Sequence, residues 1–260
     1  MLRNIKSLVG LEIHATDGEL GKVYEFLFDD RACEIRYMVA ETGTWLSGRK
    51  VLIATPALKK APDPRLRVFP VNLTREQVRS SPDIDTDKTV TRLHEIQLHE
   101  HYDWPVYWGE GFYAGRMLFQ PAPKKEELQE ERRALEAAHL QSTRAVTGYR
   151  LHAADGLIGH IDDYIVDDEK WVIRYLVADT GTWLPGRKVL VSPHWIERVD
   201  WETSEIFVDL TRVAIKASPG FDPAVPVSED YESDLYDHYG RPKFEDAIKA
   251  GAVQQRAGKH

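Results

Sequence analysis

A short stretch near the middle of the chain carries the side chains with the clearest potential for metal chemistry. His94, Glu95, His99 and His101 follow one another closely. On a helix, Glu95 and His99 would share one face, and imidazole and carboxylate groups are common metal ligands. The spacing is not the His-Glu-x-x-His pattern of zinc peptidases, because Leu98 occupies the position of the second histidine. We regard these residues as weak candidates for a metal site and expect no bound cofactor.

Two loops combine a tryptophan with basic residues, a composition that is typical of protein-binding surfaces. Each loop reads Thr-Gly-Thr-Trp-Leu-x-Gly-Arg-Lys. Tryptophan and arginine are enriched at the energetic centres of protein interfaces. In the alternative, structural interpretation, the tryptophan closes one end of the fold and the basic residues pair with the Asp-Asp turns at 29–30 and 167–168. The candidate binding residues are Trp45, Arg49, Lys50, Trp183, Arg187 and Lys188.

Aromatic residues are concentrated in the stretch 102–113, and the matching stretch of the second half largely lacks them. An exposed cluster of this kind would contact a protein or a membrane surface. A packed cluster would instead form a small satellite core against its own domain. The asymmetry is the most useful functional clue in the sequence. The candidate binding residues here are Tyr102, Trp104, Tyr107 and Trp108.

The other side chains with reactive groups favour structural roles. Cys33 is the only cysteine, so no internal disulfide can form, and the matching residue of the second half is Trp171. Arg36 and Arg174 lie in predicted strands, where an arginine usually has a carboxylate partner; an anion site is the alternative. The sequence shows no phosphate-binding loop, dinucleotide fingerprint or nucleophile motif. We therefore expect no catalytic residues and no enzymatic activity.

The candidate residues are distributed over an internal repeat. Residues 10–53 return as residues 148–191 at a constant offset of 138, with 23 of the 44 positions identical. A repeat of this clarity predicts two copies of one small module. Weaker similarity continues at an offset of 137 and pairs Glu95 with Glu232. A feature that only one copy carries cannot be required by the fold.

The hydrophobic pattern of each copy predicts β-structure. Asp-Gly pairs at 17–18 and 155–156 lie between apolar runs, which is a strong hairpin signal. The segments 34–41 and 172–179 carry apolar residues on both faces, as central strands do. A fifth strand is expected near residues 67–73 and 206–210.

Single residues add detail to this pattern. Gly21 and Gly159 indicate a bulge or a close backbone approach in the second strand of each copy. Thr74 and Thr211 are predicted to cap the N-termini of short helices. The expected fold is mainly β, with two tandem small, mostly antiparallel β-barrels that have short helical tails and are joined by a charged helical linker. The predicted segments are a first module at 1–120, the linker at 121–142, a second module at 143–246 and a tail at 247–260.

Composition narrows the expected environment and partners. The formal net charge is −8, with 42% apolar and 29% charged residues, as in ordinary globular proteins. Because no basic footprint is visible, we expect no direct nucleic-acid partner. No apolar run approaches the roughly 20 residues that span a bilayer, and the N-terminus does not resemble a signal peptide. We expect a cytoplasmic protein that can associate peripherally with a membrane.

Several strings resemble the PRC-barrel family. They are DGELGKV, DGLIGHI, TGTWLSGRKVLI and TGTWLPGRKVLV, together with the tail HYDWPVYW at 101–108. The family includes the cytoplasmic domain of the photosynthetic reaction-centre H subunit and the C-terminal domain of the ribosome-maturation factor RimM. The resemblance implies small antiparallel barrels that bind other macromolecules. Unlike the H subunit, this chain shows no membrane-spanning helix, and unlike the ribosome factor it carries a second barrel-like copy.

Three functional hypotheses follow from these observations. The leading one is a non-catalytic adaptor of a bacterial cytoplasm that binds a protein through barrel loops and tails, on a membrane-associated or photosynthetic-type complex. One alternative is a ribosome or RNA-processing assembly factor that binds a basic ribosomal protein. The other is a metal-binding protein that uses His94, His99 and His101. The two modules could also pack on each other as an intramolecular pseudo-dimer.

Overall fold

The computed structural model describes residues 1–59, 67–86, 88–108, 139–181, 183 and 185–249. Within these residues the chain forms thirteen β-strands and seven α-helices, and the longest helices have 11 residues. The predicted mainly β fold with short helices is confirmed. None of the helices described here is both long enough and apolar enough to cross a membrane.

Among its described residues, the first half contains six strands and three helices. The strands are β1 (Leu2–Asn4), β2 (Glu12–Ala15), β3 (Gly18–Asp29), β4 (Glu34–Glu41), β5 (Lys50–Ala54) and β6 (Val68–Pro70). The helices are α1 (Ile5–Leu8), α2 (Arg75–Arg79) and α3 (Arg92–Tyr102).

The second half repeats this order and adds further elements. The strands are β7 (Leu140–Ser142), β8 (Arg150–Ala153), β9 (Gly156–Asp167), β10 (Val172–Asp179), β11 (Lys188–Val191), β12 (Ile196–Asp200) and β13 (Glu205–Val208). The helices are α4 (Thr143–Val146), α5 (Arg212–Ala217), α6 (Glu229–Tyr239) and α7 (Phe244–Lys249).

Local sequence explains where several of these elements begin. Hairpins form where the Asp-Gly pairs predict them, β2–β3 in the first half and β8–β9 in the second, but the two-residue turns are Thr16-Asp17 and Ala154-Asp155, and each glycine begins the next strand. The Thr74 hydroxyl accepts a hydrogen bond from the amide of Gln77, and the Thr211 hydroxyl accepts one from the amide of Ala214, both at 3.2 Å. These bonds satisfy amides that the first helical turn leaves free. Both predicted N-caps are confirmed.

The chain divides into two compact units, and each unit is built from segments that are not consecutive in the chain. The first, which we name the N-terminal unit, contains Glu12–Val23 and Tyr37–Leu140. The second, the C-terminal unit, contains Met1–Leu11, Tyr24–Arg36 and Gln141–His260. Two early segments of the chain therefore belong to the same unit as its second half.

Parts of the predicted segmentation fall outside the described residues. Of the predicted linker at 121–142, only the last four residues are described, and Leu140–Ser142 form β7. The predicted tail at 247–260 is described only as far as Lys249. The boundaries of the two predicted modules stay a prediction.

The N-terminal unit is built on the antiparallel pairs β2–β3 and β4–β5 and on the parallel pair β2–β6. In β4, every side chain from Tyr37 to Ala40 is buried. Burial on both faces confirms the predicted central strand. Strand β6 covers three residues and is shorter than the strand predicted near 67–73.

In the C-terminal unit, β8, β9, β10 and β11 form successive antiparallel pairs, and β1 adds to β9. Strand β13 pairs with β8 in parallel and with β12 in antiparallel orientation. Strand β12 has no counterpart among the strands that the sequence predicts. Its exposed Glu197 and Arg198 interrupt the apolar alternation that marks a strand.

The duplicated turns after β3 and β9 bond to each other reciprocally within the C-terminal unit. The Ile35 amide donates to the carbonyl of Trp171 at 2.7 Å, and the Ile173 amide donates to the carbonyl of Cys33 at 2.8 Å. Cys33 and Trp171 share a left-handed conformation, with φ of 54° and 56°. Desolvation, helped by the nearby Asp29 carboxylate, raises the pKa of the Cys33 thiol to about 12. A thiol that stays protonated fits the predicted packing role.

The glycines of the second strands lie against backbone. An ideal Cβ on Gly21 would lie 2.0 Å from the carbonyl oxygen of Glu41, and one on Gly159 would lie 1.9 Å from that of Asp179. The pairing register of both hairpins also shifts beside these glycines. The predicted bulge and close backbone approach are both confirmed.

Candidate functional site

The tryptophan loop of the N-terminal unit packs onto a helix and a hairpin. Trp45 lies in a 3-10 turn (Gly43–Leu46), and its Nε1 donates to the carbonyl oxygen of Leu20 at 2.6 Å. The Arg75 guanidinium lies over the Trp45 ring, 4.6 Å from its centroid. The same arginine passes over Gly18, where an ideal Cβ would lie 3.4 Å from Arg75 Cδ. We name this cation–π arrangement the tryptophan clamp.

The C-terminal unit contains the same clamp. The Arg212 guanidinium lies 4.6 Å from the ring centroid of Trp183, and an ideal Cβ on Gly156 would lie 3.4 Å from Arg212 Cδ. A carboxylate oxygen of Asp155 accepts the Arg212 amide at 2.7 Å, which fixes the start of α5 on the hairpin. The repeated Asp-Gly, tryptophan and arginine therefore join the same three elements in both units.

The arginines of the two tryptophan loops bind the ends of helices. Arg49 donates to the carbonyl oxygen of Ser81 at 3.0 Å and forms an ion pair with Asp83 at 3.0 Å. Arg187 donates to the carbonyl oxygen of Lys216 at 2.8 Å. The alternative in which an arginine or lysine of each loop pairs with an Asp-Asp turn is not met by these arginine contacts, because the carbonyl groups where each following helix ends bind the guanidinium.

The lysines of the two loops have different surroundings. Lys50 begins β5 opposite Glu41. The Lys188 ammonium lies 2.6 Å from Asp162 Oδ2, and the Lys6 ammonium lies 2.6 Å from Asp162 Oδ1. Desolvation acts to raise the pKa of the Asp162 carboxyl, but the hydrogen bonds from the two ammonium groups outweigh it and lower that pKa.

Asp162 belongs to a group of three possible metal ligands. The potential ligand atoms of His160, Asp162 and Asp179 lie within 4.8 Å of one another. None of these three residues is among the metal ligands predicted from the sequence. Because two ammonium groups already bind Asp162, a cation would have to compete with both. The contacts favour a structural role for this carboxylate.

The aromatic stretch after α3 has a partly exposed portion. Tyr102 and Trp104 stack with ring centroids 4.2 Å apart and an interplanar angle of 13°, and both are half-buried. Val106 is 54% exposed. We name Tyr102, Trp104 and Val106 the aromatic surface. Phe112 and Tyr113, the remaining aromatic residues of the stretch, lie outside the described residues.

The other two aromatic candidates contact charged groups of their own unit. The Arg92 guanidinium lies 5.1 Å from the ring centroid of Tyr107 and 4.3 Å from that of Trp108. The ring of Trp108 also packs against the edge of His99 at 4.8 Å. These contacts agree with the packing interpretation for Tyr107 and Trp108.

The fully buried carboxylate of Glu95 has several hydrogen-bond and ion-pair partners, one of which is Tyr107 of the aromatic stretch. Glu95 lies in α3, and its side chain has no exposed surface. Its Oε1 accepts hydrogen bonds from the hydroxyls of Tyr37, at 3.1 Å, and Tyr107. Its Oε2 lies 2.8 Å from Nη1 of Arg92 and 3.1 Å from Nε2 of His139. We name these five residues the Glu95 cluster.

His99 borders the Glu95 cluster. Its Nε2 lies 2.8 Å from the hydroxyl of Tyr37. Desolvation lowers the pKa of His99 and outweighs the opposite effect of the Glu95 carboxylate. Desolvation also raises the pKa values of Tyr37 and Tyr107, and the Glu95 charge acts in the same direction. The imidazole and both phenols are therefore uncharged near neutral pH.

The remaining predicted metal ligands bind other partners. His94 Nδ1 accepts the amide of Thr91 at 3.2 Å, and His101 Nε2 lies 3.1 Å from the carbonyl oxygen of Gln77. The possible metal-ligand group found among the described residues includes none of the four predicted ligands. Glu95 and His99 thus both contact the hydroxyl of Tyr37, whereas His94 and His101 lie outside the Glu95 cluster.

A smaller version of the cluster occurs in the C-terminal unit. Glu232 Oε1 accepts the Tyr175 hydroxyl at 2.7 Å and pairs with Arg174 at 3.0 Å. The matching arginine of the first half, Arg36, pairs with Asp29 at 3.5 Å instead. The prediction that each mid-strand arginine has a carboxylate partner is confirmed.

Sequence reasoning missed three members of the Glu95 cluster: Tyr37, Arg92 and His139. The available signal was the glutamate retained at 95 and 232 together with the tyrosine retained at 37 and 175. His139 lies outside the repeat, so no local pattern could have connected it to α3.

The position of His99 predicts acid-sensitive stability. In the unfolded chain this imidazole takes up a proton near its ordinary pKa of 6.5, whereas the folded state resists protonation. Stability is therefore expected to fall as the pH drops below 6.5 towards the lower pKa of the folded state. The His99→Tyr variant, which carries the residue found at the matched position 236, should lose less stability over this range. Urea denaturation of both proteins at pH 7.5 and 5.5 would show this, and equal losses would contradict it.

Comparison with family models gives a match in the first part of the chain. Residues 2–72 match the family model of the PRC-barrel domain. No curated protein matches the chain. In general terms, a PRC-barrel domain indicates a role in protein interaction or assembly.

Proposed function

We propose that this chain is a non-catalytic adaptor that binds a protein partner through the aromatic surface of its N-terminal unit. The match of residues 2–72 to the PRC-barrel domain supports a binding role in general terms. The observation that carries the specific proposal is the half-buried Trp104 beside the exposed Val106. At the matched positions of the second half stand Arg241 and Lys243. An aromatic ring beside an exposed apolar side chain is typical of an interface centre.

We also propose that the second half is a further module of the PRC-barrel kind. The identity of 23 residues over 44 supports this, as does the same hairpin at β8–β9. The clamp of Trp183 and Arg212 repeats that of Trp45 and Arg75 with the same 4.6 Å separation. A two-module adaptor could hold two partners at once, one on each unit.

The absence of enzymatic activity is part of the same proposal. The side chains that the sequence offered for chemistry are engaged within the protein: His99 with Tyr37, and Glu95 with Arg92. The Cys33 thiol stays protonated because its pKa is raised. These contacts support structural roles for the residues concerned.

A single substitution tests the aromatic surface. Val106→Lys introduces the residue of the second half at a position that is 54% exposed. It should reduce recovery of a stoichiometric partner from a gently solubilised native lysate by about 10-fold or more. The melting temperature should stay unchanged, since the substituted side chain already faces solvent. Trp108→Ala is unsuitable because Trp108 packs on Arg92 and His99.

A matched control makes the result specific. Val225 of the C-terminal unit is 57% exposed, so Val225→Lys changes the charge in the same way at another place. Equal partner recovery with Val106→Lys and Val225→Lys would contradict the proposal. The identity of the partner decides the remaining alternatives, because a small-subunit ribosomal protein would favour the assembly factor and a membrane complex the photosynthetic-type adaptor.

A further inference from the structure

The C-terminal tryptophan clamp borders a shallow depression on the surface of its unit. The depression has a volume of about 330 Å³. Val213 is 75% exposed there, and Trp183 is half-buried. The residues that line it are Asp155, Trp183, Arg212, Val213 and Lys216.

The two clamps differ at the helix that carries the arginine. In the N-terminal unit, Glu76 and Arg79 form an ion pair at 2.8 Å on the exposed side of α2. At the matched positions of α5 stand Val213 and Lys216. Within the described part of the chain, no carboxylate forms an ion pair with Lys216. The N-terminal clamp thus carries the ion pair of Glu76 and Arg79 on its helix. The C-terminal clamp carries the exposed Val213 near the Lys216 ammonium at the same positions.

The charges around this depression favour an acidic occupant. The Arg212 guanidinium lies over Trp183, and the exposed Lys216 lies one helical turn beyond it. Among the described lining residues the one carboxylate is that of Asp155, which accepts the backbone amide of Arg212 at the start of α5. Among the described lining residues, the exposed apolar area comes from one valine and part of one ring, which is little for insertion into a membrane.

We propose that this surface, formed by Trp183, Arg212, Val213 and Lys216, binds a peptide segment in which an acidic residue neighbours a large apolar one. The apolar side chain packs against Trp183 and Val213, and the carboxylate pairs with Lys216 and the edge of Arg212. This inference rests on the proposed binding function and adds the chemistry of a second partner. The N-terminal clamp does not bind such a segment, because Glu76 repels it and occupies Arg79.

A displayed library of random dodecapeptides, selected on the full chain, tests the proposal. Selected peptides should be enriched in Asp and Glu next to Phe, Leu or Trp. A selected peptide should bind at least about 10-fold more weakly to Val213→Glu, because the new carboxylate repels the peptide and pairs with Lys216 as Glu76 pairs with Arg79. The affinity should also fall with rising salt. Val225→Glu is the matched control and should bind like the unmodified chain.

Transfer of the surface to the other unit gives a second readout. The double variant Glu76→Val, Arg79→Lys reproduces the C-terminal side chains on α2 and should add a second binding site for the same peptide. Titration by fluorescence anisotropy and calorimetry would then give a stoichiometry of two.

Three results would overturn the inference. They are selected peptides without acidic residues, undiminished binding to Val213→Glu, and binding to phosphatidylserine vesicles with no selected peptide. Val106→Lys separates this inference from the proposed function, since it should reduce partner recovery through the aromatic surface by about 10-fold or more and leave peptide binding unchanged.

Discussion

Gly159→Ala is expected to destabilise the C-terminal unit by more than about 4 kcal/mol, a large share of the usual free energy of unfolding of a domain. The new methyl group would lie 1.9 Å from the carbonyl oxygen of Asp179 and 2.9 Å from Thr180 Cα. Both atoms belong to backbone, so no side-chain rotation can relieve the clash. Relief requires β9 and β10 to separate where His160 pairs with Asp179, which breaks ladder hydrogen bonds in a buried sheet.

Thermal and urea denaturation would measure this effect, with Gly220→Ala as the control. An ideal Cβ on Gly220 has only Arg187 Nε nearby, at 3.7 Å, which is an ordinary contact. That variant should change stability by no more than about 0.5 kcal/mol. Gly21→Ala should repeat the large loss in the N-terminal unit, because its Cβ would lie 2.0 Å from the Glu41 carbonyl. A loss below about 1 kcal/mol for Gly159→Ala would refute the close approach.

Glu95→Gln is the second substitution with a large expected effect. It should cost about 3–5 kcal/mol, the usual range for removing one partner of a buried ion pair. The carboxylate compensates the guanidinium of Arg92, whose side chain is 17% exposed, and accepts hydrogen bonds from Tyr37 and Tyr107. A neutral amide leaves the arginine uncompensated and offers one acceptor oxygen in place of two.

Glu232→Gln provides the matched comparison. Glu232 is 17% exposed and its partner Arg174 also lies 3.7 Å from Glu245, so a second carboxylate remains after the substitution. The expected cost is about 1–2 kcal/mol. Urea denaturation of both variants at pH 7.5 gives the comparison. Equal losses of stability in the two variants would contradict the prediction that the buried Glu95 carboxylate contributes more than the partly exposed Glu232 carboxylate.

Local sequence determined most of the strands and caps. The β2–β3 and β8–β9 hairpins, the apolar faces of β4 and β10 and the capping threonines all lie where the sequence predicts them, because each depends on interactions within a few residues. The hairpin turns themselves lie one residue earlier than the Asp-Gly pairs. The close backbone approach at Gly21 and Gly159 was also predictable from local sequence, since a glycine inside a strand indicates such an approach. The carboxylate partners of Arg36 and Arg174 followed from the cost of burying a lone charge.

The sequence by itself therefore determined the mainly β fold, its turns and its repeated strings. Only the tertiary structure decided which distant groups meet: residues 1–11 and 24–36 belong to the C-terminal unit, and His139 binds Glu95 of α3. It also decided that Arg49 and Arg187 bind helix ends, and that Val213 and Lys216 border an open depression. The physical reason is that local patterns fix conformation within a few residues, whereas strand pairing and burial fix partners far apart in the chain, which no local pattern encodes.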